Sequence, residues 1–372
     1  MLTLPSHVKP RRVALVYNQK KEDTPSEVVS HERESSALNS TPSHQESDIL
    51  PQARVNDRYA EWDTWETIHA VELALAAQHE VTLIEANTDV YQKLLQVQPE
   101  IVFNITEGMN GVSREAQIPA MLEYLNIPYS GSDPLTLAIC LDKSRAKEIL
   151  SYYNIGTPAF KVVHSVSELV SSSISMPCMI KPLHEGSSKG IYNSSLAKTR
   201  QELEKEVETV TSSYQQPALI EEFLPGREFT VALMGNGKEA VCLPIVEIKF
   251  DALPEGVNPI YSYEAKWILD RPDSPLDIFQ CPADISVSLK EEIEQLCLNA
   301  YSVLRCRDWC RIDVRLDAKG KPHIIELNPL PGILPNPEDN SCFPKAARSA
   351  GMNYNQLIQT VMWLAMKRYG LN

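Results

Sequence analysis

The sequence predicts an α/β protein, in which a first domain built on a doubly wound parallel sheet precedes a strand-rich α+β region. Three observations predict this fold class. The chain has 372 residues, more than one ordinary hydrophobic core holds, so two or three domains are expected. Strand and helix patterns alternate up to residue 136, which is typical of a parallel sheet with helices on both faces. Beyond that residue the alternation ends and short strands become frequent.

The first domain is expected to span residues 1–136. Its predicted elements are a strand at 11–18, a helix at 62–79, a strand at 80–86, a helix at 89–98, a strand at 100–106, a helix at 113–127 and a short strand at 128–132. A polar insertion at 19–58 contains no aromatic residue and has little to bury. It follows the first strand, at the edge where ligands usually meet an open α/β sheet. Two interpretations therefore stay open, a disordered insertion and a loop that becomes ordered when substrate binds.

The rest of the chain mixes helices with many strands. Its predicted elements are a helix at 137–154, further segments at 157–165, 176–192 and 201–214, strands at 217–224, 227–236 and 239–250, a loop at 251–280, a helix at 287–304, a hairpin at 309–328 and a last helix near 353–368. The hairpin is expected to turn at Asp317–Gly320, because a glycine-containing polar segment separates its two strand patterns.

Composition excludes several classes of function. The net charge of −14 argues against nucleic-acid binding, which depends on basic patches. No apolar run is long enough to span a membrane, and the start of the chain lacks the apolar core of a signal peptide. The eight cysteines are scattered without a CxxC pair, which favours reduced thiols in a cytoplasmic protein.

The hairpin carries a candidate metal site. Arg311 and Asp313 alternate with apolar residues and so share one face of a strand. Glu326 and Asn328 share a face of the partner strand, and the short turn allows the two polar faces to coincide. Their oxygen atoms suit Mg²⁺, a hard cation that bridges phosphate oxygens. A hairpin that turns its polar residues to solvent is the alternative.

Three other segments contain residue types suited to a nucleotide. In 181–190 small residues follow Lys181, and their N–H and hydroxyl groups can surround phosphate oxygens. In 219–231 strand carboxylates can accept ribose hydroxyls. In 261–267 Lys266 lies in a long loop, from which a cation can close over a triphosphate. An ordinary Gly/Ser turn and a solvated loop are the alternatives.

The order of these segments is more specific than any one of them. In sequence come Lys143, Lys181, "EGSS" (185–188), "LIEEFL" (219–224), "REFTV" (227–231), "YEAK" (263–266), "RIDV" (311–314) and "ELN" (326–328). In this order the chain resembles the D-alanine–D-alanine ligase family of ATP-grasp enzymes, over residues 100–370 and more loosely before them. The resemblance implies an ATP-grasp module whose lobes, at 137–225 and 226–372, hold ATP between them.

The resemblance also implies a role for each matching residue. Lys143 and Lys181 would contact the phosphates and the base. Glu221 and Leu224 would lie at adenine with the backbone of Glu222 and Phe223, and Glu228 would hold the ribose. Gly186, Ser187 and Ser188 would cover the phosphates beside Glu185. Lys266 would reach the γ-phosphate. Asp313, Glu326 and Asn328 would hold two Mg²⁺ ions, for which Mn²⁺ could substitute.

The chemistry that the resemblance implies is ATP-dependent formation of a C–N bond. A carboxylate is phosphorylated to an acyl phosphate, and an amine then displaces the phosphate, so that ADP and phosphate are released. Arg311 and the N–H of Gly332 would stabilise the oxyanion, and Lys266 and Ser188 complete the predicted catalytic set. The expected partners are small carboxylates and amines, amino acids above all. A cytoplasmic homodimer is also implied.

The positions that would bind the amino acids depart from the family pattern. The glycine-rich turn after the first strand is missing, and either Glu61 or Glu66 is the candidate for the ammonium of the first substrate. Asn104 and Glu107 stand in the loop where the family has a histidine. Trp267 replaces a tyrosine and could either fill space or stack on a larger and flatter substrate, and Pro337 stands near an expected serine.

Several functions therefore stay open at the level of sequence. One is ligation of D-alanine to D-alanine, and another is the same mechanism applied to other amino acids or to a secondary-metabolite acid. A non-catalytic ATP-binding protein and a phosphotransferase that needs no amine are the remaining alternatives.

Overall fold

The structure is a computed structural model that describes residues 8–21, 57, 59–171, 174–269 and 276–372. Most of the insertion predicted at 19–58 lies outside these residues, and so does the side chain of Trp267. None of the helices in the described ranges is long and apolar enough to cross a membrane.

The first part of the chain folds around a parallel sheet, as predicted. Its strands are β1 (Arg12–Tyr17), β2 (Glu80–Glu85) and β3 (Ile101–Ile105), in the order β2-β1-β3, and its helices are α1 (Trp65–Ala76), α2 (Val90–Val97) and α3 (Gln117–Tyr124). Five of the six residues of β1 are buried, because helices cover both faces of the sheet. A parallel bridge from Val102 to Tyr129 marks the short strand predicted at 128–132. The helix predicted at 113–127 begins as a 3₁₀ turn, Arg114–Ala116.

The helix predicted at 137–154 is two helices, and the single-helix prediction was wrong. They are α4 (Pro134–Leu141) and α5 (Lys143–Tyr152), and Asp142 between them has extended backbone angles. The Asp142 carboxylate accepts hydrogen bonds from the backbone N–H groups of Ser144 at 3.0 Å and Arg145 at 3.2 Å. An aspartate that caps the following turn in this way starts a new helix.

Two antiparallel sheets follow. The first has the order β4-β7-β5-β6, with β4 (Phe160–Val163), β5 (Cys178–Pro182), β6 (Leu196–Ala197) and β7 (Ala218–Glu222), packed on α6 (Arg200–Ser213). The second has the order β11-β10-β8-β12-β13 with β9 beside β8, from β8 (Glu228–Met234), β9 (Val241–Cys242), β10 (Val246–Ile248), β11 (Phe279–Gln280), β12 (Trp309–Leu316) and β13 (Pro322–Asn328).

Three helices belong to this last part of the chain: α7 (Val287–Val303), α8 (Cys342–Ser349) and α9 (Tyr354–Arg368). The helix α8 was not predicted from the sequence. The loop predicted at 251–280 contains a turn of π-helix at Ala265–Leu269, and it ends in β11. The helix α9 packs on α1 of the first sheet, so the end of the chain closes the first core. The division at residues 136 and 225 stays a prediction.

Candidate active site

The hairpin β12–β13 presents one apolar and one polar face. Ile312 and Val314 are fully buried on the first, in a core shared with α7. On the other face Asp313 is paired with Glu326, and Arg311 with Asn328. Residues directly opposite in an antiparallel pair point to the same side of the sheet. The structure therefore confirms that the two polar faces coincide, and it excludes a hairpin with polar residues simply turned to solvent, since all four line internal clefts.

Arg311 holds the two carboxylates of this face together. Its Nε and Nη2 donate to Oδ1 and Oδ2 of Asp313 at 3.1 Å and 2.9 Å, and Nη2 lies 3.7 Å from Oε1 of Glu326. Burial would raise the pKa of Glu326, but the cations of Lys143, Lys181 and Arg311 hold it at about 2. Glu326 is therefore ionised at neutral pH.

The oxygen atoms of this face fit a magnesium ion. Asp313 and Glu326 supply two carboxylates, and the amide of Asn328 lies 3.5 Å from Oδ2 of Asp313. Among the described residues no three His, Cys, Asp or Glu side chains come together as a metal cage. A cation here would thus take its other ligands from phosphate oxygens and water, which is how Mg²⁺ is usually held beside a nucleotide.

A buried chain of three charges lies next to this face. Glu221 is 2% exposed, and its two carboxylate oxygens lie 2.7 Å from Nζ of Lys147 and 2.7 Å from Nζ of Lys181. Although burial opposes ionisation, the two lysines hold the pKa of Glu221 at about 2. Glu221 thereby fixes Lys181 at the end of β5. Lys147 was not predicted as a site residue from the sequence, where its only signal is its position one helical turn after Lys143.

A first cleft runs between the two antiparallel sheets. It is lined by apolar side chains and by most residues predicted to hold the nucleotide: Met179, Lys181, Glu185, Gly186, Ser187, Ser188, Ile191, Glu221, Glu222, Phe223, Leu224, Glu228, Ile248, Ile260 and Lys266. Glu228 accepts a hydrogen bond from Nη1 of Arg315 at 2.6 Å, and the guanidinium of Arg315 lies 4.6 Å from the ring centroid of Phe223. Arg315 thus orients Glu228, the residue expected at the ribose.

The loop Glu185–Gly190 forms the wall between this cleft and a second one. Ser187 and Ser188 have φ of +50° and +60°, a conformation that turns successive N–H groups toward one side. Ser188 Oγ donates to the carbonyl of Tyr261 at 2.9 Å, which ties the loop to the segment that carries Lys266. Lys143 donates from Nζ to the carbonyl of Glu185 and lies 3.7 Å from Glu326.

The second cleft contains residues at which the sequence departs from the family. Gly332 lines it from the loop after β13, and Pro337 lies outside it and is exposed. Of the two candidates for an ammonium ligand, Glu61 lines the cleft and Glu66 is exposed. Glu61 precedes α1 instead of lying on it, and accepts from Gly186 N–H at 2.7 Å and from Arg114 at 2.5 Å.

Of the two candidates at the end of β3, Asn104 and Glu107, only one lines the second cleft. Glu107 lines the second cleft. Asn104 is buried in β3, where Oδ1 accepts a hydrogen bond from the hydroxyl of Thr106 at 2.6 Å. Asn104 therefore holds the end of the strand, and Glu107 is the residue that can meet a ligand.

The two clefts meet at Lys266 and Arg311, while Ser188 lines only the first cleft and Gly332 only the second. Six residues line both clefts: Glu185, Gly186, Ser187, Lys266, Arg311 and Glu326. Burial and the neighbouring Arg311 lower the pKa of Lys266 to about 8. A ligand in one cleft can therefore touch a ligand in the other at a point surrounded by three cationic side chains, those of Lys143, Lys266 and Arg311.

Comparison with known proteins decides the family. Residues 149–363 match the family model described as D-ala D-ala ligase C-terminus. The chain is 34% identical over 265 residues to the D-alanine–D-alanine ligase of Bordetella avium (strain 197N), an alignment that covers 71% of this chain and 77% of that protein. The chain belongs to the D-alanine–D-alanine ligase family. Membership confirms the resemblance found in the sequence and supports an ATP-dependent ligase function.

Two further relatives bear on the extent of the match. An uncharacterised protein of Sinorhizobium fredii (strain NBRC 101917 / NGR234), y4sG, is 32% identical over 301 residues, or 78% of this chain and 84% of that protein. The crystal structure of the D-alanine–D-alanine ligase from Bacillus anthracis complexed with ATP superposes with a TM-score of 0.64 at 20% identity, over 97% of this chain and 99% of that one. At that identity the second likeness establishes the fold.

Proposed function

We propose that this member of the D-alanine–D-alanine ligase family is an ADP-forming ligase that joins the carboxylate of one amino acid to the amine of another, with Mg²⁺ bound. The observation that supports the proposal most directly is the meeting of the two clefts at Lys266, Arg311 and Glu326. A nucleotide in the first cleft and an amino acid in the second would have their reacting groups side by side.

The first step forms an acyl phosphate. A carboxylate oxygen of the first substrate attacks the γ-phosphorus, and the bond to the departing oxygen of ADP breaks. Such transfer depends on positioning and on neutralisation of charge, which Lys181, Lys143 and Lys266 can supply. Asp313, Glu326 and Asn328 would hold two Mg²⁺ ions, or Mn²⁺ in their place, and the metal supplies further positive charge beside the phosphates.

The second step forms the amide. The nitrogen of the second substrate attacks the acyl carbon, and the tetrahedral adduct carries an oxyanion. The Arg311 guanidinium and the N–H of Gly332, which both line the second cleft, would stabilise that charge. The C–O bond to phosphate then breaks, and the amine proton leaves with inorganic phosphate. The covering loop, with Ser188 bound to the Tyr261 carbonyl, keeps water from the acyl phosphate.

The test is ADP release, measured with Mg²⁺ and ATP over single and paired D- and L-amino acids. We expect release that requires an amino acid, together with a dipeptide detected by mass spectrometry. ADP formed without any amino acid would indicate ATP hydrolysis, and ADP formed with an amino acid but without an amide product would instead identify a phosphotransferase. Nucleotide binding without turnover under every pairing would identify a non-catalytic ATP-binding protein.

A homodimer and a cytoplasmic location are further parts of this proposal. The family relatives support amino-acid substrates, but they do not bear on assembly. Sedimentation equilibrium of the purified chain measures the oligomeric state, and a single species of 41.7 kDa would contradict the dimer.

A further inference from the structure

The second cleft is far more acidic than an ammonium ligand alone requires. Four carboxylates line it away from the reaction centre: Glu61, Asp63, Glu107 and Glu115. They come from the turn before α1, the loop after β3 and the 3₁₀ turn that follows. The charges of Glu61, Asp63 and Glu115 act on Glu107, and the charge of Glu61 also acts on Glu115.

Arg114 is in direct contact with this group, and Lys143 acts on Glu115 from beyond ion-pair distance. Arg114 donates from Nη2 to Glu61 at 2.5 Å and from Nη1 to the carbonyl of His184 at 2.6 Å, and it lies 3.4 Å from Glu185. The positive charge of Arg114 therefore compensates the charge of Glu61 and part of the charge of Glu185. Asp63, Glu107 and Glu115 have no ion-pair partner among the described residues.

Glu115 is the clearest case of an unpaired carboxylate in the second cleft. The residue is 9% exposed, it lines the cleft, and within the described ranges its carboxylate makes neither a hydrogen bond nor an ion pair. A buried ionised carboxylate without a partner is costly, so such a group normally marks a place where a ligand supplies the missing charge.

The chemistry of the cleft favours an organic cation over a metal ion. The four carboxylates do not converge as a metal cage in the part of the chain that the structure describes. Spread along a cleft, they suit positive charges that are separated by several bonds. The α-ammonium of an alanine supplies one such charge, and after Arg114 pairs with Glu61 three carboxyl groups of the cleft still have no ion pair within the described residues.

We propose that the second cleft accepts an amino acid whose side chain carries a second cationic group, that is, a diamino or guanidino carboxylic acid. This inference rests on the proposed ligase function and names its substrate class. The α-carboxylate of that substrate lies toward Lys266 and Arg311, where the clefts meet, and the side-chain cation lies among Asp63, Glu107 and Glu115.

The titration of the group agrees with this placement. Burial raises the pKa of Asp63 to about 7, and burial with neighbouring carboxylates raises that of Glu107 well above its ordinary value. Burial also raises the pKa of Glu115 to about 7, with Arg114 opposing and Glu61 adding to the rise. A bound cation relieves this cost by stabilising the ionised forms.

The decisive comparison is lysine against norleucine, which has the same chain without the side-chain ammonium. Each is assayed for ADP release alone and paired with alanine, in both chiralities. We expect kcat/KM for lysine to exceed that for norleucine by at least about tenfold, as befits a buried charge pair. ADP release that is equal for the two, or greater with norleucine, would overturn the inference and leave the ligase standing.

Two variants separate recognition from folding. Glu115→Gln keeps the shape of the residue and is expected to lower kcat/KM for lysine about tenfold or more while that for norleucine changes little. Glu66→Gln, at an exposed neighbour outside the cleft, is the matched control and is expected to change neither. An equal loss for both substrates in Glu115→Gln would count against a specific cation site, and the melting temperature reports whether the fold has changed.

A binding measurement distinguishes failure of the inference from failure of the proposed function. Thermal shifts of the protein, saturated with a non-hydrolysable ATP analogue, are recorded with lysine and with norleucine. If no pairing of amino acids releases ADP, the ligase proposal fails. A stabilisation by lysine alone would still support a site that binds a cationic side chain. Equal or absent shifts with both compounds would overturn that site as well.

Discussion

Asp313 and Glu326 stand opposite each other in the β12–β13 hairpin, immediately before its bulge. The next ladder pair is Val314 with Ile324, so Ile325 is the extra residue. In a regular strand residues 324 and 326 would share a face. The bulge lets Ile324 lie fully buried in the core while Glu326 stays in the cleft. It is this irregularity that allows one short strand both to close a core and to present a carboxylate to Asp313.

The first prediction concerns that carboxylate pair. Asp313→Asn removes a charged oxygen ligand and leaves the Arg311 guanidinium without its bidentate partner. We expect ADP release to fall by a factor of about 100 or more, because metal and guanidinium are both displaced. Steady-state assays over a range of Mg²⁺ concentrations measure it, and the concentration needed for half-maximal rate should rise.

The control for this substitution is Asp251→Asn, at an exposed aspartate outside both clefts. Its rate and Mg²⁺ dependence should match the wild type. Full activity of Asp313→Asn with an unchanged Mg²⁺ requirement would contradict the assignment of Asp313 as a metal ligand.

The second prediction concerns Glu221, which is 2% exposed between Lys147 and Lys181. Glu221→Gln leaves two buried ammonium groups without a counter-charge, and removing one member of a buried ion pair costs about 3–5 kcal/mol. Urea denaturation at pH 7 should show a loss of that size in the free energy of unfolding. The matched control is Glu222→Gln, at the exposed neighbour on the same strand, for which almost no change is expected.

The pH dependence of that loss has a definite sign. The pKa of Glu221 falls from 4.5 to about 2 on folding. Its stabilisation is therefore complete above pH 4.5 and is lost as the pH falls toward 2. The difference in unfolding free energy between wild type and Glu221→Gln should shrink over that interval, and a difference independent of pH would contradict the charged triad.

The third prediction concerns Glu115, whose pKa is shifted the other way, from 4.5 to about 7. Between these values the folded protein binds a proton that the unfolded chain does not, so stability falls as the pH rises. Glu115→Gln should remove up to about 3 kcal/mol of that fall and make the ligand-free protein more stable at pH 8. Denaturation at pH 5 and at pH 8 checks this, and an unchanged pH dependence would contradict it.

Strand period and the resemblance to the family together predicted most of the residues that line the nucleotide cleft. Period-two alternation in 311–316 placed Asp313 on one face, and the order of the motifs brought Lys181, Glu228 and Lys266 to one cleft. These residues sit on strands or on the loops directly after them. The shared face of Arg311 and Asp313 follows from strand period, whereas the common cleft of Lys181, Glu228 and Lys266 was implied by the resemblance to the family.

Long-range contacts explain what the sequence did not predict. The break between α4 and α5 depends on which helical turn the Asp142 carboxylate caps. Lys147 belongs to the site only because it pairs with Glu221, which is distant in sequence. The acidic cleft brings the turn before α1 against the loop after β3. A periodic sequence pattern does not predict that these two segments are in contact. Glu115 was therefore not singled out from the sequence, although Glu61 and Glu107 were.

The last prediction concerns the loop between the clefts. Gly190 has φ of +72°, and an added Cβ would lie 3.0 Å from Cδ of Pro182 and 3.0 Å from Cζ of Tyr214, with Cγ of Pro182 nearer still. Pro182 belongs to β5 and cannot retreat easily, so Gly190→Ala should push the loop Glu185–Gly190 away from Lys181. We expect KM for ATP to rise at least about tenfold, because the loop N–H groups would no longer meet the phosphates.

Gly237→Ala is the matched control for Gly190→Ala. Gly237 also has a positive φ, of +54°, but an added Cβ there would meet no atom within 4 Å. Both variants should lose about 1 kcal/mol of stability from backbone strain, since a side chain disfavours this conformation. Only Gly190→Ala should alter KM for ATP, because only there does the new methyl group displace a wall of the nucleotide cleft. Equal kinetics in the two variants would show that the loop tolerates the displacement and does not cover the phosphates.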